Sequence, residues 1–187
     1  MKYIAFDIGI KNLAYCIINS DNYEIVDWNI LDISTDKKKN KIYEIMGKII
    51  DTLDINKHFL ELDTILIENQ PCMKNPVMKS IQIMIFTYFN MKKKEYNNIK
   101  NIVLVSPRTK FKCYEGPEDI IQFPNIKSAY TIRKKKAIVC CRWMLEQSKI
   151  NNYLIEFYNN HKKKDDLADS YLLCMTYLKK NNILPVI

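Results

Sequence analysis

The sequence predicts an α/β fold in which a mixed five-stranded sheet is flanked by helices. Three strand-like segments open the chain without an intervening helix, and helical and strand-like segments alternate after them. The chain has 187 residues, which is enough for one domain with a substantial core and too few for two. We therefore expect residues 1–187 to form one domain, with three antiparallel strands followed by parallel strands.

The opening strands are predicted from short apolar runs separated by turn residues. They span residues 2–8, 12–19 and 23–33. Gly9 lies in the first junction, and Asn19-Ser20-Asp21-Asn22 forms the second, which is a turn cluster suited to a hairpin. Because both junctions are short, we expect each strand to pair with the next one in antiparallel fashion.

The rest of the chain alternates between helical and strand-like patterns. Apolar residues spaced three or four apart predict helices at 40–53, 77–93, 132–147 and 165–178, and apolar runs predict strands at 62–68 and 101–105. The stretch 108–128 lacks periodicity and is typical of a long functional or mobile loop. The helix at 77–93 is apolar nearly all round, so one flank should face the core while the other needs a further partner.

Charge and composition favour a soluble protein that contacts polyanions. The formal net charge is +8, and 48% of the residues are hydrophobic. Basic residues cluster at 37–39, 92–94, 133–136 and 162–164. One such cluster is more often a solvated face than a binding surface, but two of these lie close in sequence to candidate catalytic residues. The pattern therefore favours DNA or RNA as the partner.

The cysteine pattern predicts a reducing, intracellular compartment. The six cysteines form no Cys-x-x-Cys pair, and most are flanked by apolar residues, as buried free thiols are. No apolar run is long enough for a membrane span, and the chain opens on a strand-like pattern rather than a signal sequence. We therefore expect neither export nor membrane insertion.

Carboxylates at the ends of predicted elements carry the chemistry. Asp7 ends the first strand and Glu68 ends the fourth, while Asp166 and Asp169 lie one turn apart at the start of the last helix. If these two strands are neighbours, the acidic groups converge into a cluster that is costly unless hard divalent cations neutralise it. Each position alone also has a structural interpretation, as a turn residue, a cap or a partner of the helix dipole.

The order of these motifs resembles the poxvirus Holliday-junction resolvases, which are relatives of the RuvC-type resolvases in the RNase H-like superfamily. The motifs are Asp7-Ile8-Gly9-x-Lys11-Asn12, Glu68-Asn69-Gln70-Pro71, Val105-Ser106-Pro107 and Asp165-Asp166-Leu167-Ala168-Asp169-Ser170. The resemblance covers nearly the whole chain and rests on the order and spacing of short motifs. It implies an RNase H-like fold, a viral protein of the host cytoplasm, and a homodimer that makes paired nicks in four-way DNA junctions with Mg²⁺ or Mn²⁺.

The resemblance also implies roles for individual residues. Asp7, Glu68, Asp166 and Asp169 would be the metal ligands, for two ions per site, with Asp165 as an alternative ligand. A basic active-site residue would fall within 134–136, with Lys134 and Lys135 favoured, although an exposed helix face is an equal alternative. DNA contacts are expected at Lys11, Arg133, Lys134, Lys135, Lys136, Lys163 and Lys164. The helix near 77–93 would supply the dimer interface.

Other classes of protein compete with this interpretation. An actin-like ATPase or a sugar kinase also opens with a similar strand and turn, but these folds need several glycine-rich turns, and this chain has three glycines. A related RNase H-like nuclease could act on other branched DNA or on RNA/DNA hybrids through the same metal site. A nucleic-acid-binding protein without catalysis would use the carboxylates for structure alone.

Overall fold

A computed structural model describes residues 1–35, 41–73 and 75–183, so the predicted lysine cluster at 37–39 lies outside the described residues. The strands are β1 (Lys2–Asp7), β2 (Leu13–Asn19), β3 (Glu24–Leu31), β4 (Thr64–Glu68) and β5 (Asn101–Val105). The helices are α1 (Ile42–Ile55), α2 (Pro76–Glu95), α3 (Ala129–Gln147), α4 (Ile155–Asn160) and α5 (Lys164–Lys180).

The strands form one mixed sheet in the order β3-β2-β1-β4-β5. β1 pairs with β2 and β2 with β3 in antiparallel fashion, whereas β1 with β4 and β4 with β5 are parallel pairs. The predicted mixed five-stranded sheet is therefore confirmed. Because β1, β4 and β5 run in the same direction, their carboxyl ends meet at one edge of the sheet, and the residues that follow them leave from that edge.

Helices cover both faces of the sheet. Along β1, Ile4 and Phe6 point to the face that is covered by α1 and α2, and Tyr3 and Ala5 point to the face that is covered by α3 and α5. This alternation follows from the two-residue period of a strand. The sheet is thus the central layer between two apolar clusters, and its side chains are held from both sides.

The first turn of the sheet requires a glycine. A Cβ atom built on Gly9 would lie 2.5 Å from the backbone oxygen of Asn12, which is closer than real atoms approach. Beyond the turn, the carbonyl of Ile10 accepts a hydrogen bond of 2.9 Å from the backbone N–H of Ile33. The segment that follows Asp7 is therefore tightly constrained.

Two helical features differ from the sequence-based expectation. α3 begins at Ala129 rather than 132, because the Ser128 side chain caps it by accepting a hydrogen bond from the backbone N–H of Thr131. The six-residue α4 was not predicted, since it is too short to show a helical period. It is held by tertiary contacts: the Tyr158 ring stacks on Trp28, with centroids 5.4 Å apart, and its hydroxyl donates to the Ile138 carbonyl.

The burial of most thiols agrees with the expectation from the sequence. All six cysteines are free, and five of them are buried while Cys72 is exposed. Among the residues that the structure describes, no helix combines the length and apolar character that a membrane crossing needs.

Phe6 offers a direct test of the core on the α1/α2 side. Its fully buried ring lies 5.7 Å from that of Phe59 and 5.8 Å from that of Phe89, between centroids. We expect Phe6→Ala to lower the free energy of unfolding by about 3–5 kcal/mol, measured by urea denaturation, because it leaves a cavity. Ile55→Ala, at a side chain that is 81% exposed, should change it by about 0.5 kcal/mol or less. Equal losses in the two variants would contradict this packing.

Candidate active site

The parallel pairing of β1 and β4 places Asp7 beside Glu68. Phe6 is in register with Ile67, so the next residue of each strand emerges at the same edge. The Asp7 carboxyl donates a hydrogen bond to the Glu68 carboxylate, which also accepts one from the backbone N–H of Ile8. Two carboxyl groups that the sequence predicted to converge are therefore in direct contact.

The helix α5 adds Asp169, and an irregular loop adds Lys110. The Nζ atom of Lys110 lies 2.7 Å from Oδ2 of Asp169, and the two side chains are only 13% and 21% exposed. The positive charge of Lys110 also lowers the pKa of both Asp7 and Glu68 relative to what their burial alone would give. One ammonium group is thus close to three carboxyl groups.

Lys110 was not singled out from the sequence. It follows β5 and the short 3-10 turn Pro107–Thr109. Its carbonyl accepts hydrogen bonds from the Thr176 hydroxyl, at 2.9 Å, and from the Cys113 thiol, at 3.3 Å, so the loop is tied to α5. The available signal was its position just after a strand that runs parallel to β4, since such a residue leaves the sheet at the same edge.

Burial and mutual repulsion dominate the electrostatics of this cluster. Burial raises the pKa of Asp7 well above its usual range, and the charges of Glu68 and Asp169 raise it further. The pKa values of Glu68 and Asp169 are also raised, chiefly by burial, even though Lys110 opposes the shift. The single ammonium group therefore does not fully compensate the negative charge.

Asp166 and Asp165 occupy the first turn of α5, next to the N-terminal half of α3. Burial by itself would raise the pKa of Asp165, but an ion pair with Lys134 lowers it overall. The pKa of Asp166 is raised, first by burial and then by the charge of Asp165. Lys134 is therefore engaged with Asp165, whereas Asp166 interacts with both Asp165 and Asp169 and has no contact with Lys110 in the part of the chain described.

The remaining predicted basic residues lie on the turn after β1 and at or near the starts of α3 and α5. Lys11 lies in the turn after β1, Arg133 and Lys135 lie near the start of α3, and Lys163 precedes α5, all four with exposed side chains. Lys136 lies with its Nζ 4.9 Å from the centroid of the Phe111 ring, and Lys164 donates to the carbonyl of Asn159 at 2.8 Å. Within the described ranges Lys135 forms no ion pair.

The donor atoms of the acidic cluster suit a hard cation. In the part of the chain described, Oδ2 of Asp166 and Oδ1 of Asp169 are buried and accept no hydrogen bond. Buried oxygens without donors are costly, and a divalent ion with oxygen ligands would satisfy them. As they stand, no three acidic, histidine or cysteine side chains of the described residues form a ready-made metal-binding group. The residues thus fit such an ion by donor chemistry and by their unsatisfied oxygens.

Asp7→Asn should stabilise the metal-free protein, and increasingly so as pH rises. The pKa of Asp7 is raised in the folded state, so the protonated carboxyl stabilises the folded protein relative to the ionised one. This stabilisation is complete below the ordinary carboxyl pKa, and it is lost as pH rises through the pKa that Asp7 has in the folded protein. The difference from wild type should grow by about 1.4 kcal/mol per unit of pKa shift. Urea unfolding with a chelator at acidic and alkaline pH measures it. The exposed Asp51→Asn is the control, and a difference independent of pH would refute the interpretation.

Three solved structures share this fold. The yeast mitochondrial Holliday-junction resolvase Ydc2 matches with a TM-score of 0.65 at 16% identity, over 97% of this chain and 80% of that one. The fowlpox virus resolvase, solved with Holliday-junction DNA, matches with a TM-score of 0.63 at 22% identity, over 97% and 99% of the two chains. RuvC of T. thermophilus, with a junction substrate, gives 0.59 at 10% identity, over 98% and 97%. The fold is therefore RNase H-like.

Sequence comparison identifies relatives among viral proteins. An uncharacterized protein of Acanthamoeba polyphaga mimivirus is 31% identical over 151 residues, which are 76% of this chain but only 36% of that protein. The chain thus matches about a third of the length of this relative. The profile of the family described as "Poxvirus A22 protein" matches residues 1–181, so the chain belongs to the poxvirus A22 protein family.

Proposed function

We propose that this protein is a Holliday-junction resolvase that makes paired, symmetrical nicks in four-way DNA junctions. The observation that carries the proposal is the assembly of Asp7, Glu68, Asp169 and Lys110 at one edge of an RNase H-like sheet. Family membership and the fold shared with resolvases bound to junction DNA support the substrate. As a member of a poxvirus family with buried free thiols, the protein would act in the host cytoplasm.

In this proposal the acidic residues bind Mg²⁺ or Mn²⁺, two ions per site. Asp7, Glu68 and Asp169 would be ligands, and Asp166 would contribute its unsatisfied oxygen from the preceding turn of α5. Such ions supply Lewis acidity for the attack of water on the scissile phosphate and neutralise charge on the leaving oxygen.

Residues of the chain orient the proposed metal ligands and place a positive charge beside them. On ion binding, the proton that Asp7 shares with Glu68 would be released to solvent, which would free both carboxylates to act as ligands. Glu68 keeps its orientation through hydrogen bonds from the Ile8 backbone and the Gln70 side chain. Lys110 forms an ion pair with Asp169 and is nearly buried at the cluster, so it is placed to stabilise charge that develops on the phosphate. We therefore assign the basic active-site role to Lys110, and to Lys134 the role of holding Asp165.

The basic residues around the site would bind the DNA backbone. Lys11, Arg133, Lys135, Lys136, Lys163 and Lys164 belong to three segments that adjoin the acidic cluster: the turn after β1, the start of α3 and the start of α5. Positive charges on these segments attract phosphates and offset the repulsion between DNA and the carboxylates. Their contribution should weaken as the salt concentration increases.

A homodimer would supply the two active sites that paired nicks require. On α2, Val77, Ile83 and Met91 are 39%, 53% and 60% exposed, and in this proposal they form the outer flank of the helix. An apolar flank of this kind favours a partner surface, and a second copy of the same helix would provide a self-complementary one.

Substitutions at the cluster should separate cleavage from binding. We expect Asp7→Asn and Lys110→Met to slow nicking of a labelled synthetic junction by at least about 100-fold with Mg²⁺, because each removes a group that acts on the reacting phosphate or its ions. Junction affinity in a gel-shift assay should persist, and it should tighten for Asp7→Asn because a negative charge near phosphate is lost.

Lys135→Met is the matched control for Lys110→Met, because it removes an exposed lysine outside the carboxyl cluster. It should weaken binding and reduce the salt dependence with little change in the nicking rate of bound junction. If Lys135→Met abolished nicking while Lys110→Met did not, the assignment of Lys110 would be wrong. Cleavage of RNA/DNA hybrids or linear duplex in preference to junctions would favour a different RNase H-like nuclease.

The dimer can be tested at Ile83. Ile83→Glu places a charge in the centre of the proposed interface and should raise the dimer dissociation constant by at least about 30-fold in analytical ultracentrifugation. Ile55→Glu introduces the same charge on α1, outside this flank, and should leave the dimer intact. A wild-type protein that is monomeric at all accessible concentrations would contradict the proposed interface.

A further inference from the structure

Gln82 is a polar residue buried on an apolar helix face. It is 2% exposed, and its neighbours on the inner side of α2 are Ile81, Ile85 and Phe89. Burying an amide among such residues is unfavourable unless hydrogen bonds within the protein replace those that it made to water. The hydrogen bonds of the Gln82 side chain therefore explain how an amide can be buried at this position.

The oxygen of Gln82 holds the segment that follows the acidic strand β4. Its Oε1 accepts a hydrogen bond of 2.8 Å from the backbone N–H of Gln70 and one of 3.0 Å from Nζ of Lys79. The same ammonium group donates to Oδ1 of Asn69 at 3.2 Å. From the opposite side, the backbone N–H of Asn69 donates to the Val105 carbonyl of β5 at 2.8 Å. Hydrogen bonds to α2 on one side and to β5 on the other therefore hold Asn69 and Gln70 in place.

This segment in turn orients Glu68. The side-chain amide of Gln70 donates a hydrogen bond to Oε2 of Glu68. The Glu68 carboxylate is also hydrogen-bonded to the side chain of Asp7. If the backbone of Gln70 shifted, its amide would lose this geometry and the Glu68 carboxylate would be free to rotate. A leucine at position 82 would fill similar space but would leave the Gln70 N–H and the Lys79 ammonium without their acceptor.

We propose that Gln82 is a positioning residue for the cation site: it acts through Gln70 to hold the Glu68 carboxylate in the orientation in which it binds a divalent ion. The inference rests on the proposed function, in which Glu68 is a metal ligand. Gln82 does not touch the ion or the DNA in this scheme. Partners behind a metal ligand commonly change metal affinity by about 10–100-fold when they are removed.

The test is a titration of the purified protein with MnCl₂, without DNA, followed by calorimetry. Gln82→Leu should weaken Mn²⁺ binding by about tenfold. Gln82→Glu retains an acceptor that can also pair with Lys79, and it should restore most of the affinity. Gln147→Leu makes the same chemical change at an exposed residue of α3 and should bind like wild type. If the leucine variant does not fold, Gln82→Asn serves in its place, because it moves the acceptor oxygen back by one methylene and keeps an amide. It should also weaken Mn²⁺ binding.

A double-mutant cycle tests whether Gln82 affects the cation site through Gln70. Because Gln82 is inferred to act through Gln70, Gln82→Leu should add little to the loss of affinity that Gln70→Ala already causes. A full additional tenfold loss on that background would overturn the inference, as would wild-type Mn²⁺ affinity in Gln82→Leu or the absence of Mn²⁺ binding in the wild type. If the wild type binds Mn²⁺, Gln82→Leu weakens it, and no junction is nicked, the proposed function fails while this inference is supported.

Discussion

The candidate site depends on one constraint: three buried carboxyl groups lie close together, and a single lysine is near them. Asp7, Glu68 and Asp169 come from two strands and a helix, and burial opposes the ionisation of all three. Lys110 offsets part of the resulting repulsion through its ion pair with Asp169. Such an arrangement is costly in the absence of further cations, and that cost makes it suitable for binding divalent ions.

The sheet order creates this arrangement. Since β1 lies between β2 and β4, its carboxyl end is central and adjoins the carboxyl end of a parallel neighbour. The helix α5 packs across β1 and β2 and carries its first turn to the same edge, while the loop after β5 closes the remaining side. Side chains held by rigid elements on several sides keep their geometry better than side chains on a single loop.

The helix α2 links the interior of the site to the outer surface. Gln82 faces inward and contacts the segment after β4, whereas the adjacent Ile83 faces outward. In our proposals the same helix therefore stabilises a metal ligand and contributes the surface that joins two copies. A net charge of +8 also coexists with an acidic cluster, because most of the basic residues lie outside the cluster, with Lys110 as an exception.

The sequence alone determined the elements that have a clear period and the carboxylates at their ends. It predicted the five strands and the long helices, because apolar periodicity is a local property. It predicted the convergence of Asp7 with Glu68 on the condition that their strands are neighbours, and the order of the strands in the sheet met that condition. The tertiary structure decided the position of Lys110, the pairing of Lys134 with Asp165, the existence of α4 and the inward contact of Gln82. These features depend on contacts between residues far apart in the chain, and the long loop that carries Lys110 has no period from which its path could be inferred.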